Sequence, residues 1–424
     1  MLSKIAAAAK ISDLKNRILF MFGMFAVYVV GLHIPIPGID HDKMEQLFAT
    51  GGAFGLLDAF SGGAFRKFTI FAMGIMPYIN ASIIMSLLVM AVPQLEQLQK
   101  EGESGRKQIA QYTRYLTAVL AVVQAAGVNT LLRSSGILTA NWFQMIQIII
   151  VLVAGTAFLM WLGEMITDKG LGNGVSLIIF LGIVASLPMQ VSSTVKLYRA
   201  GSIGLDNIVL LLVVLVATVA AIVAVQMAQR RIPIQHVKRV IGNRISGGTS
   251  SYLPLRVNSA GVIPIIFAIS IQLFPQTIAQ FGGDSWFGQG ARRVAEFIEP
   301  GRVLGGILYF GLVVLFTYFY TAVTFNVQDV SDNLKKWGSY IPGIRPGKPT
   351  TEYLDRVMTR ITLAGAVFLG LIALLPYWTP VITGVTTFGL VGGTSLLILV
   401  GVALETMQAI EAQLVMRHYE GFIK

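Results

Sequence analysis

The sequence predicts an all-α polytopic membrane protein, with ten transmembrane helices arranged as two inverted halves of five. The first reason is composition, because 54% of the 424 residues are hydrophobic and only 12% are charged, unlike a soluble domain. The second is a series of charge-free runs long enough to cross a hydrocarbon core of about 30 Å at about 1.5 Å per residue. The third is the count of ten, since five spans per half place the halves in opposite orientations.

Nine charge-free runs supply the ten predicted spans. The first follows basic residues as a signal peptide would, but it continues for 22 residues without a small-x-small cleavage site, so we interpret it as a retained helix. The last covers 44 residues and contains Pro376 and Pro380, where we expect it to divide into spans 9 and 10. The runs are 18–39, 68–95, 115–132, 134–163, 170–195, 207–229, 257–283, 303–328 and 361–404.

The second run, 68–95, is the stretch around which the chain is organised. We expect one spanning helix over its whole length, with Ile75 and Ile79 on one face and Pro77 removing a backbone hydrogen bond between them. The preceding segment, 53–67, is apolar but broken by glycine and too short to cross. Lipid cannot satisfy the free backbone groups of such a half-inserted segment, so it must be buried in protein or line a wet cavity.

Basic residues divide unequally between the two sides of the predicted bundle. Of 32 Lys and Arg residues, 23 fall on the side that holds both termini, which the positive-inside pattern assigns to the cytoplasm. The net charge of +11 therefore has two explanations, ordinary positive-inside bias or an anionic partner.

Spans 2 and 7 share a weak internal similarity. Residues 74–84 and 261–271 align without gaps, and each span is second in its half and follows a long irregular loop. The match is either coincidence in an apolar chain or a sign that the two spans are symmetry mates in halves 1–200 and 201–424. The identical pairs are Gly74 and Gly261, Pro77 and Pro264, Ile79 and Ile266, Ala81 and Ala268, and Ile84 and Ile271.

Two basic loops on the cytoplasmic side indicate a docking surface. Loop 230–256 carries six basic residues and no acid, and two extended pieces within it predict a hairpin. Loop 329–360 carries six basic and four acidic residues, with Arg345 on a turn stiffened by Pro342 and Pro346. A generic solvated loop would not need a rigid arginine, so we favour the docking interpretation.

Catalytic and cofactor chemistry is missing from the predicted membrane interior. Apart from Glu405, late in span 10, and Glu164, which ends span 4, the spans carry no charge, and no phosphate-binding GxxxxGK[ST] motif occurs. We therefore expect neither an enzyme nor a cofactor or metal site. The interior instead holds branched aliphatic side chains at helical spacing, which either pack helices together or form a hydrophobic constriction that closes a pore.

Three stretches carry a specific family resemblance. They are SGGAFRKFTIFAMGIMPYINASIIM at 61–85, MWLGEMITDKGLGNGVSLIIF at 160–180 and DNLKKWGSYIPGIRPGKPTTEYLDRVMTRIT at 332–362. With further matches as far as span 10, they closely resemble the bacterial SecY family, the channel subunits of the Sec protein translocase. The resemblance covers nearly the whole chain.

The resemblance implies a pseudo-symmetric clamshell with an hourglass pore, which conducts secretory polypeptides and releases membrane segments laterally between spans 2 and 7. The implied pore ring is Ile75, Ile79, Val175, Ile179, Ile266 and Ile398, where Val175 replaces the common isoleucine. The implied plug comprises Gly55, Leu56, Leu57, Asp58, Ala59, Phe60, Ser61, Gly62, Gly63 and Ala64. The implied lateral-gate residues are Asn80, Gln124 and Asn258, although such amides otherwise simply hold helices together.

The resemblance also implies partners and a location. Arg345, Lys238, Arg239 and Arg244 would dock the SecA ATPase or the ribosome, which would supply the energy for transport. SecE and SecG would be further subunits, signal sequences and nascent polypeptides the cargo, and membrane lipids the neighbours, all in a bacterial plasma membrane.

Two other functions fit the residues without the resemblance. A secondary transporter with inverted repeats would take up small solutes, whereas a channel would translocate a secretory precursor into reconstituted vesicles. A scaffold subunit without a pore would show no conductance after removal of the plug.

Overall fold

The structure is a computed structural model that describes residues 12–40, 43–44, 58, 61–138, 141–236, 239–241, 244–246, 250–282, 286–299, 301–386 and 393–420. The helices are α1 (Ser12–Gly31), α2 (Met76–Ala91), α3 (Pro93–Lys100), α4 (Glu103–Ser134), α5 (Trp142–Lys169), α6 (Gly174–Arg199), α7 (Leu205–Met227), α8 (Ile263–Gly282), α9 (Trp286–Phe297), α10 (Val303–Thr324), α11 (Val327–Lys336), α12 (Lys348–Thr383) and α13 (Thr394–Glu420). The strands are β1 (Gln229–His236), β2 (Arg239–Ile241), β3 (Arg244–Ser246), β4 (Ser250–Arg256) and β5 (Ser339–Tyr340).

Each of the ten predicted spans has a helix in the described part of the chain. Eight helices are long and apolar enough to cross a membrane by themselves. A ninth span is α2, which α3 follows after a bend of 99°. At the remaining predicted span lies α8, whose apolar part, Ile263–Gln272, is a shorter helix. Exposed aliphatic side chains on these helices, such as Val216 on α7, provide a surface suited to lipid.

The prediction of one helix over 68–95 is wrong. Residues 68–75 form turns, and α2 begins only at Met76. Phe68 and Gly74 have φ values of 45° and 56°, which belong to left-handed backbone and interrupt a right-handed helix. The 16 residues of α2 extend about 24 Å, which is less than the hydrocarbon thickness.

Buried contacts hold the turns that precede α2. The amide of Ile36 donates to the carbonyl of Phe68, and the amide of Ile70 donates to the carbonyl of Ile34, which ties this stretch to the chain after α1. The same stretch lies so close to α5 that a Cβ at Gly155 would be 2.0 Å from the Ile70 oxygen. Of the two surroundings expected for the half-inserted segment, its described residues Ser61, Ala64 and Phe65 have the first, because they are buried in protein.

Pro77 does not remove a hydrogen bond between Ile75 and Ile79, contrary to prediction. It stands in the first turn of α2, where its missing amide hydrogen would have no helical partner anyway. The amide of Ile79 donates to the carbonyl of Ile75 at 3.1 Å. Pro77 therefore begins the helix instead of weakening it.

The break between spans 9 and 10 is also not where we predicted it. Pro376 and Pro380 lie inside α12, which continues to Thr383. The helix ends at Gly384, whose φ of 69° is the left-handed cap that glycine adopts without a Cβ penalty. The next helix, α13, begins at Thr394.

The predicted hairpin in loop 230–256 is confirmed, and it forms part of a larger sheet. Strands β1 and β4 pair antiparallel from Gln229 opposite Arg256 to Gln235 opposite Ser250. The short β5, from the second basic loop, pairs with the other edge of β1. Strands β2 and β3 pair antiparallel within the turn of the hairpin. The two basic loops thus share one sheet.

Candidate functional site

The six aliphatic residues predicted to line a pore lie in one apolar cluster. Three of them, Ile75, Ile179 and Ile398, are 3%, 6% and 3% exposed. The other three, Ile79, Val175 and Ile266, are partly buried and pack against the same cluster. Because α6 and α13 belong to different halves, the cluster joins both halves of the chain. A common axis between the six side chains stays a prediction.

Neighbouring positions on α6 face different surroundings. The side chains of Val175 and Ile178 both reach α5, since a Cβ at Gly163 would lie 3.2 Å from Val175 Cγ2 and 3.3 Å from Ile178 Cδ1. Ile179 lies about 100° further around the helix than Ile178. Val175, although predicted for the ring, therefore contacts α5 as Ile178 does, and the pair Ile178 and Ile179 allows a comparison of two directions on one helix.

The described end of the predicted plug packs against the same cluster. Ala64 is fully buried within it. The hydroxyl of Tyr28 on α1 lies 3.5 Å from the carbonyl oxygen of Ser61, within reach of a hydrogen bond. Gly62 approaches α6 closely, because a Cβ at this position would lie 2.9 Å from the Cα of Gly182.

Asp58 caps the turn that ends the predicted plug. Its carboxylate accepts a hydrogen bond from the Arg66 amide at 2.8 Å, and its carbonyl accepts one from the Gly63 amide at 2.9 Å. Burial raises the pKa of the Asp58 carboxyl to about 6, although the Arg66 amide and the charges of Arg66 and Lys67 oppose the shift. This turn lies outside the spanning helices and holds a titratable group.

One of the three predicted gate residues forms a bond between spans 2 and 7. Asn80 on α2 accepts a hydrogen bond from the Ser270 hydroxyl on α8 at 3.3 Å. The buried Asn258 donates instead to the nearby Gly261 carbonyl at 3.1 Å, and Gln124 is half-buried on α4. Sequence reasoning did not identify Ser270, because a single serine in an apolar run carries no signal of its own.

An ion pair that the sequence did not predict joins α4 and α5. Arg114 Nε and Nη2 lie 2.8 Å and 2.9 Å from the two carboxylate oxygens of Glu164. Both helices continue beyond the charge-free runs, so Glu164 does not end its helix as we expected. The pair satisfies two charges inside long helices and is bidentate.

Side-chain bonds reinforce the joint between the two basic loops. The Ser339 hydroxyl and His236 Nδ1 share a hydrogen bond of 2.7 Å, and the Tyr340 hydroxyl donates to Gln235 Oε1 at 3.0 Å. An apolar cluster built around Ile234 and Leu354 packs these strands with α11 and α12. The loops therefore form one small domain outside the bundle.

Arg345 is exposed on a turn of this domain that its backbone fixes. Ile341 before it is buried, and the Thr350 hydroxyl donates to the Arg345 carbonyl at 2.8 Å. The Ser331 hydroxyl donates to the Gly347 carbonyl at 3.2 Å. Because these bonds use the backbone, the guanidinium remains available to a partner.

Several predicted residues lie outside the described ranges. In the predicted plug they are Gly55, Leu56, Leu57, Ala59 and Phe60. Lys238 in the hairpin is another, and for Arg239 and Arg244 only the backbone, in β2 and β3, is described.

Comparisons with known proteins agree over the whole chain. A family model described as SecY matches residues 69–407. Curated relatives named "Protein translocase subunit SecY" are 44% identical over 443 residues in Streptomyces scabiei, 45% over 441 residues in Streptomyces coelicolor and 41% over 449 residues in Mycobacterium tuberculosis. Each alignment covers 100% of both chains.

Solved structures share the fold at low sequence identity. One described as "The structure of a protein conducting channel" has a TM-score of 0.65 at 18% identity, covering 95% of this chain and 93% of the other. A SecY structure concerned with its plug domain has a TM-score of 0.64 at 18% identity, covering 95% and 92%. Sec61 in a canine ribosome-channel complex has a TM-score of 0.63 at 17% identity, covering 95% and 93%.

Proposed function

Because the chain belongs to the SecY family and is a non-enzymatic subunit of the protein translocase, we propose that its clustered aliphatic side chains seal a polypeptide-conducting pore. The observation that carries this proposal is that α2 with the turn before it, α6, α8 and α13, from both halves, bring all six residues into one apolar cluster with Ala64. An uncharged ring excludes ions by dewetting, and its soft contacts part around a passing chain. The six residues are Ile75, Ile79, Val175, Ile179, Ile266 and Ile398.

A paired substitution on α6 tests the seal. Ile179→Gly removes a proposed ring side chain, whereas Ile178→Gly removes the same atoms at the next position, which faces Gly163 of α5. Both variants carry the same helix cost of glycine, about 1 kcal/mol. In planar bilayers we expect increased resting conductance for Ile179→Gly and for Ile79→Gly, and parental conductance for Ile178→Gly. Unchanged conductance in both ring variants would refute the seal.

The half-inserted segment is proposed to close the pore as a plug, over Gly55 to Ala64. Its described end supports this, because Ser61 and Gly62 contact α1 and α6, and Ala64 belongs to the apolar cluster that holds the proposed ring. A plug must be released during transport, so its contacts should be numerous but individually weak.

The boundary between α2 and α8 is proposed as a lateral gate, with Asn80, Gln124 and Asn258 as its polar residues. The bond between Asn80 and Ser270 supports this assignment. A signal sequence would enter between these helices, with membrane lipids beside it. The halves 1–200 and 201–424 would move apart around that opening.

The small domain that the two basic loops form around strands β1, β4 and β5, called the sheet domain below, is proposed as the docking surface for the SecA ATPase and the ribosome. Exposed Arg345 would lie at its centre, flanked by Lys238, Arg239 and Arg244. The canine relative in a ribosome-channel complex supports a ribosomal partner. Contacts to RNA phosphates would weaken strongly with salt. SecE and SecG would complete the complex.

The chain is a multi-pass membrane protein, and we place it in the bacterial plasma membrane with both termini in the cytoplasm. The excess of Lys and Arg on that side supports the orientation. The sheet domain then faces the cytosol, where SecA and ribosomes act.

A further inference from the structure

Helix α9, Trp286–Phe297, joins α8 to α10 on the side of the bundle opposite the sheet domain. It has 12 residues, so its length of about 18 Å is too short to cross a membrane. One face is built of small residues, and on it Gly288 and Ala295, seven positions apart, are buried. The helix therefore rests on the protein by its small side chains.

The opposite face of α9 is apolar and exposed. Trp286, Val294 and Phe297 are 85%, 51% and 59% exposed, and helical geometry places them within an arc of about 80°. Charged side chains border this arc on one side, where Arg293 lies about 20° from Trp286 and Glu296 lies about 80° from it, and both are exposed. An aromatic and aliphatic stripe beside a charged stripe is typical of a helix that lies in a membrane interface.

The start of α10 shows where the membrane boundary lies. Arg302 and Glu299 approach within 3.8 Å just before this helix, as an exposed pair suited to the headgroup region. Immediately after them, Val303, Leu304 and Ile307 on α10 are strongly exposed apolar residues, as a lipid-facing helix requires. Phe297 lies only two residues before Glu299. The apolar face of α9 therefore continues the lipid-facing surface at the level of the boundary.

A buried amide connects this region to α8. Gln272 is 3% exposed, and its Nε2 donates to the carbonyls of Ile298 and Gly305. Gln272 lies two residues beyond Ser270, which bonds Asn80 on α2. The chain that follows α9 is thus fixed to the part of α8 that contacts α2.

We propose that α9 is an interfacial helix that inserts Trp286, Val294 and Phe297 into the phospholipid headgroup region and anchors the end of α8 there. The bilayer surface is the occupant of this face. The insertion itself does not depend on channel activity, whereas its effect on the gap between α2 and α8 rests on the proposed function.

The absence of cysteine from the chain permits a direct test. Single-cysteine variants Val294→Cys and Phe297→Cys, with Glu296→Cys as the matched control on the charged face, would be spin-labelled in the assembled complex in phospholipid vesicles. We expect spin labels at 294 and 297 to collide with oxygen several-fold more often than with a water-soluble nickel chelate. The label at 296 should collide more often with the nickel chelate than with oxygen. Equal access of the nickel chelate at all three positions would overturn the proposal. Exclusion of both reagents at 294 and 297 would also overturn it, because a protein would then cover the face.

A second substitution tests the anchoring of α8. Val294→Glu places a charge on the inserted face, and Arg293→Glu places the same charge beside it as a control. With labels on α2 and α8, we expect Val294→Glu to broaden the distance distribution between the helices more than Arg293→Glu does. An identical distribution of distances between α2 and α8 in both variants would overturn the anchoring of α8. The insertion of α9 would still be tested separately by the collision measurements. A change in distance without a change in translocation would instead count against the lateral gate.

Discussion

The hydrogen bond between Asn80 and Ser270 is a polar contact between α2 and α8, two mostly apolar helices. Such bonds in membrane proteins contribute about 0.6 kcal/mol on average, because each partner finds other acceptors when the helices separate. A contact of this strength biases a gate towards closure without locking it. We infer that the bond sets how apolar a signal sequence must be to part α2 from α8.

Removing the Asn80 amide should therefore ease opening. For Asn80→Ala we expect a secretory precursor with a weakened signal sequence to be translocated about threefold faster, which corresponds to the loss of about 0.6 kcal/mol. Ser86→Ala is the control, because the Ser86 hydroxyl donates to the Ser82 carbonyl of its own helix. Export of the weakened precursor, measured by protease protection in vesicles, distinguishes the two. Equal rates in Asn80→Ala and the parent would exclude a gating role for the bond.

The partly buried carboxyl of Asp58 should make the proposed plug sensitive to pH. Its pKa of about 6 is above the ordinary value of 3.8, so the packed turn favours the protonated acid. The stabilisation is complete below about pH 4 and is lost as the pH rises through 6. We expect the resting conductance to be lower at pH 5 than at pH 7.

Asp58→Asn is the matched variant for that effect. Asparagine keeps an oxygen for the Arg66 amide but does not titrate between these pH values. We expect its conductance to vary less between pH 5 and pH 7 than that of the parent. The same pH dependence in both proteins would show that another group is responsible.

At the scale of the elements, the proposed plug packs closely against α6 because both residues at the contact, Gly62 and Gly182, are glycines. A Cβ at Gly62 would lie 2.9 Å from the Cα of Gly182, closer than real Cβ contacts. Gly62 also has a φ of 71°, which disfavours other residues. Its neighbour Gly63 has a similar φ of 82° but open space where a Cβ would lie. A substitution at Gly63 would therefore introduce backbone strain alone, whereas one at Gly62 would introduce both strain and a steric collision.

We expect Gly62→Ala to displace the plug and Gly63→Ala to displace it much less. Alanine at either position costs about 1 kcal/mol for left-handed backbone, and only Gly62→Ala adds a collision with α6. Resting conductance in planar bilayers should therefore rise clearly for Gly62→Ala. Equal conductance in both variants would mean that contact with Gly182 does not hold the plug.

The charge-free runs predicted one helix for every span because a missing charge is a direct requirement of the lipid. They could not predict where α2 begins, since left-handed backbone at Phe68 and Gly74 depends on tertiary contacts with the chain after α1 and with α5. The prediction also placed the break between spans 9 and 10 at Pro376 and Pro380, which instead lie inside α12. The carbonyl of Ile372, which Pro376 leaves without a helical donor, instead packs closely against Gly393 of the next segment.

At the scale of the whole molecule, the similarity between spans 2 and 7 extends to backbone conformation. Gly74 and Gly261 have φ values of 56° and 66°, and each lies three residues before a proline in the first turn of its helix. Ala81 and Ala268 are both fully buried. The matched residues thus begin two helices in the same way, which supports inverted halves and weakens coincidence as the explanation.

The sequence predicted the two parts of the sheet domain separately, but it did not predict that they pair in one sheet. Each basic loop was predicted as a docking surface, and Arg345 as its rigid point. Their union was not predictable, because β5 has two residues and pairs with a strand about a hundred residues earlier. Such a short strand carries no periodic signal of its own. Charge from both loops is therefore concentrated on one body.

Reversing the charge of Arg345 should block docking without unfolding this domain, because Thr350 bonds the Arg345 backbone and not its guanidinium. We expect Arg345→Glu to reduce SecA-driven export at least about tenfold, as loss of a central charged contact does. Lys196→Glu makes the same charge change at an exposed position on the opposite side of the bundle, and export should stay at the parental level. Immunoblots of membranes should show both variants inserted in normal amounts. Normal export by Arg345→Glu, or an equal loss in both variants, would contradict a dedicated docking site.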